Sequence, residues 1–515
     1  MKNNHTPLAL IILDGWGHSN QAEHNAIAQA QTPFFDALME KYPHTLLNAS
    51  EQHVGLPAGQ IGNSEIGHMT IGTGRIVDTD LIKINKAAEN GEFKTNPAFL
   101  QLFDHVKKHN STLHIMGLIS PGGIHSHRDH LYAFLKSAKA AGLEKIAIHA
   151  FTDGRDVPPK SAAGYLKELE DVLAELGIGF IATVQGRFYA MDRDKNWERL
   201  KKTEDAIFEA KGKNKLFVSG AYSSSHAVME QYQKGAIDEH LEPMIFLDNT
   251  GKSYPLEKND GVFFFNYRPD RARQLSAKIA EKQKTHNLCF VTMTEYDKTM
   301  ETLVAFPDEG MDESLSAAIS DAGLTQSHIA ETEKYAHVTY FFNGGREEPH
   351  KREHHFLIES RRDVPTHDLA PEMRAREIAD KALERIKAGD DFILMNFANA
   401  DMVGHTANRE AIIKAVETVD RELKRIVDAV LAKGGAAIIT ADHGNAEVNV
   451  DEQTGEKHTA HTLNLVPFIV AFPELKAVSS KLKADGTLAD IAPTILQLLE
   501  IKKPASMTGH SLIQK

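Results

Sequence analysis

Asp401 and His405 stand four residues apart in NFANADMVGHT, and Asp442 and His443 are adjacent in TADHGNAE. On a helix, positions i and i+4 share one face, so Asp401 and His405 can reach one point. Asp14 in LDGWG and His461 in HTAHT bring the set to six donors. Carboxylates mixed with imidazoles suit Mn²⁺ or Zn²⁺ rather than Ca²⁺, which takes oxygen ligands. Six such donors with one hydroxyl are enough for two ions. Each alone has a plainer explanation, since an Asp after a strand often caps a helix and a lone His is often structural. Clustered at several predicted strand ends, they point to a metal centre. His458 lies three residues before His461 and is a rival ligand. It follows Glu456 and Lys457, which predicts a solvated setting, so His461 is preferred.

Ser64 sits in a glycine-rich segment, GQIGNSEIGHMTIGTGR. Glycines let a backbone approach a phosphate closely. The segment is neither a Walker P-loop, lacking Gly-Lys-Ser/Thr, nor a hydrolase elbow, because Ile66 stands where a glycine is needed. A serine hydroxyl needs a base or a metal to become a nucleophile, and the ligands above can supply the metal. The plainer role is to cap a helix starting at Glu65. The two are compatible, because a helix N-terminus also favours a phosphoryl group.

A second group of residues is cationic. His125 lies in PGGIHSHRDH, Arg155 and Asp156 in TDGRDVPP, Arg187 and Arg193 in QGRFYAMDRD, and Arg268 and Arg271 in NYRPDRAR. Guanidinium groups bind phosphate or carboxylate through two parallel hydrogen bonds. Any single arginine is accounted for by a surface ion pair. Five after strand-like runs predict a small, multiply anionic substrate. Lys334, in ETEKYAHVTYF, lies outside this stretch and is placed to meet the substrate from another side.

These residues follow a repeated pattern: a short apolar run, a polar turn, then a helical stretch. Runs at Leu8–Leu13, Leu113–Ile119, Ile146–Phe151, Phe180–Val184, Val262–Phe265, Cys289–Thr292, Phe392–Phe397 and Ala436–Thr440 read as buried strands. Continuous apolar strands separated by helices predict an α/β fold of mainly parallel sheets covered on both faces. Ligands of such sheets bind beyond the C-terminal strand ends. The metal-type residues fall near the two ends of the chain and the arginines in its middle. A middle domain inserted into an outer one is therefore expected, with boundaries near Arg75–Asp80 and Ala305–Ser314. The second segment is rich in Pro, Gly and acid and reads as a linker. The domains are set at 1–77 with 312–515, and 78–311.

The 515 residues are 42% hydrophobic, enough for large cores, which excludes a disordered chain. A formal charge of -13 argues against nucleic acid as partner. Cys289 is the single cysteine, so no intrachain disulfide forms, and an apolar strand is its expected setting. No stretch reads as a signal peptide or a membrane span, which predicts a soluble, cytoplasmic protein with no membrane partner.

The motifs LDGWG, GNSEIGHMTIGTGR, GGIHSH, FTDGRDVPP, QGRFYAMDRD, NYRPDRARQ, AETEKYAHVTYFFNGG, NFANADMVGHT, TADHGNAE, TAHT and MTGHSL resemble those of the cofactor-independent phosphoglycerate mutases, within the alkaline phosphatase superfamily. They run from residue 13 to residue 512. TDGRDVPP together with GNSEIGH separates this family from phosphatases, sulfatases and phosphopentomutases of the superfamily. The resemblance implies an alkaline-phosphatase-like domain made of both chain ends, with a transferase domain inserted. It implies that Ser64 becomes phosphorylated. Asp14, Ser64, Asp442 and His443 would hold one Mn²⁺, and Asp401, His405 and His461 the other. His125, Arg155, Asp156, Arg187, Arg193, Arg268, Arg271 and Lys334 would bind phosphoglycerate. It further implies that 3-phosphoglycerate and 2-phosphoglycerate are interconverted without bisphosphoglycerate, by a monomer.

On this reading Ser64 takes the phosphoryl group, the glycerate reorients, and its other hydroxyl takes the group back with Asp156 as base. Domain closure about the two linkers is expected to keep water out during the phosphoserine stage. The metal ligands alone would equally permit a phosphomonoesterase or sulfatase. A non-catalytic anion-binding or metal-binding protein is the third reading, and Ser64 in its glycine-rich loop argues against it.

Overall fold

The computed structural model describes residues 5–212, 214–218, 223–307, 311, 313–451, 454–473 and 482–514. Part of the expected linker at Ala305–Ser314, namely positions 308–310 and 312, lies outside the described residues. The chain divides into two compact units, Met1–Thr79 with Gly310–Lys515, and Asp80–Glu309.

The discontinuous unit is built on an eight-stranded sheet. Its order across the sheet is Glu353–Ile358, Gln326–Glu331, Phe392–Phe397, Leu8–Leu13, Ala436–Thr440, Val466–Ala471, His44–Asn48 and Gly486–Thr487. The first five run parallel, and Val466–Ala471 pairs antiparallel to both its neighbours. LALIIL and FILMNF are buried along their whole length because helices cover both faces of the sheet. The helix Arg409–Ala432 shows the matching periodicity. Ile412, Val416, Val419, Leu423, Ile426 and Val430 recur at helical spacing and are buried. Full burial of each such side chain contributes about 1.5–3 kcal/mol, so a charge at Val419 would open this seam.

The inserted unit holds a second eight-stranded sheet. Its order is Leu303–Val304, Cys289–Thr292, Gly261–Phe264, Leu113–Leu118, Ile146–Thr152, Phe180–Gly186, Met244–Leu247 and Asn214–Phe217. All neighbours pair parallel except Phe180–Gly186 with Met244–Leu247. Rings of Phe99, Phe134 and Phe263 meet at centroid distances of 4.2–5.0 Å in its core. Cys289 opens a strand, and burial pushes its thiol up to about 11, as expected for an inert thiol. No helix among the described residues is long and apolar enough to cross a membrane.

Each of the predicted strands forms, within two residues of its expected ends. Strands at Gln326–Glu331 and Glu353–Ile358 were not expected, and they matter because Lys334 follows the first of them.

Candidate metal centre and arginine cluster

Parallel strands deliver polar residues to one edge. Asp14 follows Leu8–Leu13, Asp401 follows Phe392–Phe397 after a short turn, and Asp442 follows Ala436–Thr440. Asp401 lies in the turn of helix Asn399–Gly404 and His405 caps its C-terminal end, which sets Asp401 Oδ1 3.3 Å from His405 Nε2. His461 Nε2 lies 3.1 Å from the same Oδ1 and 3.2 Å from His405 Nε2. His458 is in none of the metal-type groups found among the described residues.

Ser64 is the first residue of the helix Ser64–Thr73, and it does not cap it. Asn63 does, its side chain accepting from the Ile66 amide at 3.0 Å. The expected cap role at Ser64 is therefore corrected by one residue. The physical reason is that an Asn side chain already satisfies the free amide, which leaves the serine hydroxyl unspent. That hydroxyl lies 2.9 Å from His443 Nε2, 3.3 Å from Asp14 Oδ1 and 2.6 Å from Lys334 Nζ.

Lys334 is buried and donates 2.6 Å bonds to Asp14 Oδ1 and Asp401 Oδ2 as well. Burial works against its charge, but Asp14, Asp401 and Asp442 reverse that and hold it above the usual lysine range. Burial and the neighbouring Asp442 raise Asp14 above the usual carboxyl range, against the pull of Lys334. Burial also opposes ionisation of Asp401, yet Lys334, His405 and His461 hold it well below that range. Asp442 is lowered likewise: burial opposes, and His443, His68 and Lys334 prevail.

Three buried carboxyl groups thus share one ammonium ion. Buried charge of one sign is costly without a counter-ion, so the donor set calls for more positive charge than the chain supplies. One atom points the same way. Asp442 Oδ2 is buried without a well-formed hydrogen bond, its nearest nitrogens being His68 Nδ1 at 3.3 Å and His443 Nε2 at 3.5 Å. The residues fit a pair of divalent cations: Asp14, Asp401 and His443 bring donor atoms together, as do Asp401, His405 and His461.

Supporting residues escaped the sequence reading. Asn396 donates to Asp14 Oδ2 at 2.7 Å and meets His68 Nε2 at 3.0 Å. Asn445 donates to Asp401 Oδ1 at 3.0 Å. His68 Nδ1 reaches the Ser64 carbonyl at 2.9 Å. The available signals were position: His68 lies one turn after Ser64, and Asn445 two residues after His443.

In the inserted unit, four strand ends supply a cationic cluster. Arg187 follows Phe180–Gly186 directly and is buried, its Nη1 donating at 2.6 Å to both Asp153 Oδ1 and Asp156 Oδ2. Asp153 Oδ1 also accepts from the Arg155 and Asp156 amides at 3.2 and 3.1 Å, which folds the TDGRDVPP loop. Asp270 is shared by Arg193 at 3.2 Å and Arg268 at 3.2 Å, with His125 Nδ1 3.6 Å away. Neither Asp153 nor Asp270 was singled out from sequence. Burial, then Arg187, pushes His125 down to about 4, so the ring is neutral near pH 7. Burial and the charges of Arg193, Arg187 and Arg155 lower Arg271. Arginines that repel one another in this way form a ready site for an anion.

Known proteins resemble this chain in sequence and fold. The family described as BPG-independent PGAM N-terminus matches residues 84–298, and the sulfatase family matches residues 311–501. A 2,3-bisphosphoglycerate-independent phosphoglycerate mutase of Clostridium botulinum (strain ATCC 19397 / Type A) is 48% identical over 516 residues, covering 99% of each chain. The protein of that name from Chloroflexus aggregans (strain MD-66 / DSM 9485) is 47% identical over 538 residues, covering 98% of each. Among solved structures, a phosphoglycerate mutase of Leishmania mexicana, determined at low cobalt concentration, has a TM-score of 0.58 at 28% identity, covering 99% of this chain and 98% of that one. With one unit matching the sulfatase family, the other the BPG-independent PGAM N-terminus, and relatives matched end to end, the chain belongs to the 2,3-bisphosphoglycerate-independent phosphoglycerate mutase family.

Proposed function

We propose that this protein interconverts 3-phosphoglycerate and 2-phosphoglycerate, without bisphosphoglycerate, through a phosphoryl group carried on Ser64. The observation that carries the proposal is the Ser64 hydroxyl, held 2.6 Å from the Lys334 ammonium and 2.9 Å from His443 among three carboxyl groups. Two Mn²⁺ ions fit the reading best, one held by Asp14, Ser64, Asp442 and His443, the other by Asp401, His405 and His461. When bound, they would favour the Ser64 alkoxide and offset charge on the transferring phosphoryl oxygens.

Lys334 supports the alkoxide from the protein side and screens Ser64 from the carboxylates around it. Ser64 Oγ attacks phosphorus in line, the ester bond to glycerate breaks, and the glycerate oxygen keeps the electron pair. His125, Arg155, Arg187, Arg193, Arg268 and Arg271 bind the anionic substrate and retain glycerate. Asp156, held by Arg187, accepts the proton of the second hydroxyl as that oxygen attacks phosphoserine, the bond from phosphorus to Ser64 Oγ breaks, and Oγ keeps the electron pair. Every group named comes from this one chain, which supports a monomer. A single cysteine supports a cytoplasmic location.

The match to the sulfatase family favours a second reading, a metal-dependent phosphomonoesterase. An enolase-coupled assay separates the two. The metal-stripped protein, restored with Mn²⁺ and given 3-phosphoglycerate alone, should produce 2-phosphoglycerate, and Ser64→Ala should not. Release of free phosphate without 2-phosphoglycerate would favour the esterase.

A further inference from the structure

Glu447 lies four residues beyond His443 and is absent from the ligand set above. Its carboxyl group is buried, with the residue 2% exposed. Four donors converge on it. Oε2 accepts from the Gly17 amide at 3.1 Å and the Asn445 amide at 2.8 Å. Oε1 accepts from Asn464 Nδ2 at 3.0 Å and from the Thr462 hydroxyl.

The donors come from three separate segments. Gly17 is three residues past Asp14, Asn445 is two past His443, and Thr462 follows His461. One carboxyl group therefore joins the segments that carry three proposed ligands from distant parts of the chain. The neighbouring backbone is shaped to admit it. A Cβ on Gly17 would lie 2.2 Å from the Glu447 carboxyl carbon, and a Cβ on Gly444 would lie 2.4 Å from Oε1. Backbone bonds of 3.0 Å from Ala446 to Gly15 and from Thr462 to Gly444 bring the segments near one another.

We infer that Glu447 is a positioning residue. It fixes the segments of Asp14, His443 and His461 at the spacing two divalent ions require, before any ion binds. The inference rests on the reading of those residues as ligands. A carboxyl group serving only general stability could sit anywhere in the core, whereas each contact of this one falls within three residues of a proposed ligand. Partners that orient metal ligands govern affinity for the ion.

The test is calorimetric titration of metal-stripped, full-length protein with Mn²⁺, using wild type, Glu447→Ala, Glu447→Gln and Gly17→Ala. Circular dichroism and the melting temperature of each metal-free protein report folding separately. Glu447→Ala should weaken Mn²⁺ binding by about 10- to 100-fold. Glu447→Gln should recover most of that loss. Its amide oxygen can still accept from Gly17 and Asn445, and Thr462 and Asn464 can turn acceptors toward its NH₂. Gly17→Ala keeps Glu447 in the chain but crowds its carboxyl group out of position, and should weaken binding as well. Wild-type affinity in folded Glu447→Ala overturns the inference, whatever its melting temperature. If Glu447→Ala does not fold, wild-type affinity in Gly17→Ala overturns it. A wild type that binds no Mn²⁺ would contradict the metal reading, and this inference with it.

Discussion

Lys334 meets three groups at 2.6 Å, the Asp14 and Asp401 carboxyls and the Ser64 hydroxyl. Lys334→Met removes the shared cation and leaves buried carboxylates facing each other. Breaking such a buried pair costs about 3–5 kcal/mol, so the metal-free variant should melt lower than wild type. Divalent ions supply the missing charge, so Mn²⁺ should raise the melting temperature of the variant by more than it raises wild type. An equal or smaller rise would contradict this role. Turnover of the loaded variant should fall by about 100- to 1,000-fold, the usual loss when a charge-stabilising donor is removed. In the inserted unit, a single Arg187 nitrogen holds Asp153 and Asp156. Lysine keeps one donor nitrogen but lacks the rest of the guanidinium, whose other N–H groups would meet an anion. Arg187→Lys should raise KM for 3-phosphoglycerate by about tenfold or more, with kcat changed less; an unchanged KM would remove Arg187 from the substrate site. At this scale the sequence was legible where a residue type announces its own chemistry. Asp14, Asp401, His405, Asp442, His443 and His461 are ligand types set just beyond strands, and the structure gathers them. Asn396, Asn445, Glu447, Asp153 and Asp270 were not legible. They act by orienting other side chains and loops through hydrogen bonds and ion pairs, some to partners far away in the chain, a role that residue type does not announce; at Asn445 position beside His443 was the one hint.

The strand Gln326–Glu331 shows where element reading fails. Its sequence QSHIAE has only Ile329 and Ala330 as apolar residues, yet the whole strand is buried. Each polar side chain has its own partner. Gln326 donates to the Ser316 carbonyl at 2.8 Å, Ser327 donates to Asp390, and His328 Nδ1 meets the Val338 carbonyl at 2.7 Å. Glu331 accepts from Ser360 Oγ at 3.0 Å. A search for apolar runs passes over such a strand, because tertiary hydrogen bonds offset the desolvation that hydrophobicity would have avoided. Glu331 gives the strand a measurable pH dependence. Burial raises its carboxyl from the usual 4.5 to about 7. The protonated form is the one the fold favours. The contribution is full below about 4.5 and is lost as pH rises through about 7. Glu331→Gln, which cannot ionise, should therefore melt higher than wild type at pH 8, and the gain should shrink as pH is lowered to 4. A difference independent of pH would contradict the assignment. The apolar strands were legible because LALIIL or FILMNF admits almost no other reading in a chain of alternating runs and helices.

Each unit carries its own hydrophobic core, one built around the strand Leu8–Leu13 and another around Phe99, Phe134 and Phe263. The chain order of the chemistry, metal types near both ends and arginines between, is the sequence's sign of a nested arrangement. The proposed ion ligands all belong to the discontinuous unit. Mn²⁺ binding stabilises only what binds it, by about 2.7 kcal/mol at a hundredfold excess over Kd. Hydrogen exchange with and without Mn²⁺ should show added protection at Asp14–Gly17 and Ala441–Asn445, and none along Leu113–Leu118 or Ile146–Thr152. Protection gained equally by both sheets would contradict a metal centre confined to one unit. The phosphoserine route itself is tested most directly by rapid quench. Mn²⁺-loaded protein would be stopped while turning over 3-phosphoglycerate, bisphosphoglycerate omitted, and its peptides mapped. A phosphoryl group on the Ser64 peptide from the first turnover onward, absent in Ser64→Ala, is the predicted result. Formation of 2-phosphoglycerate with Ser64 never phosphorylated would contradict it.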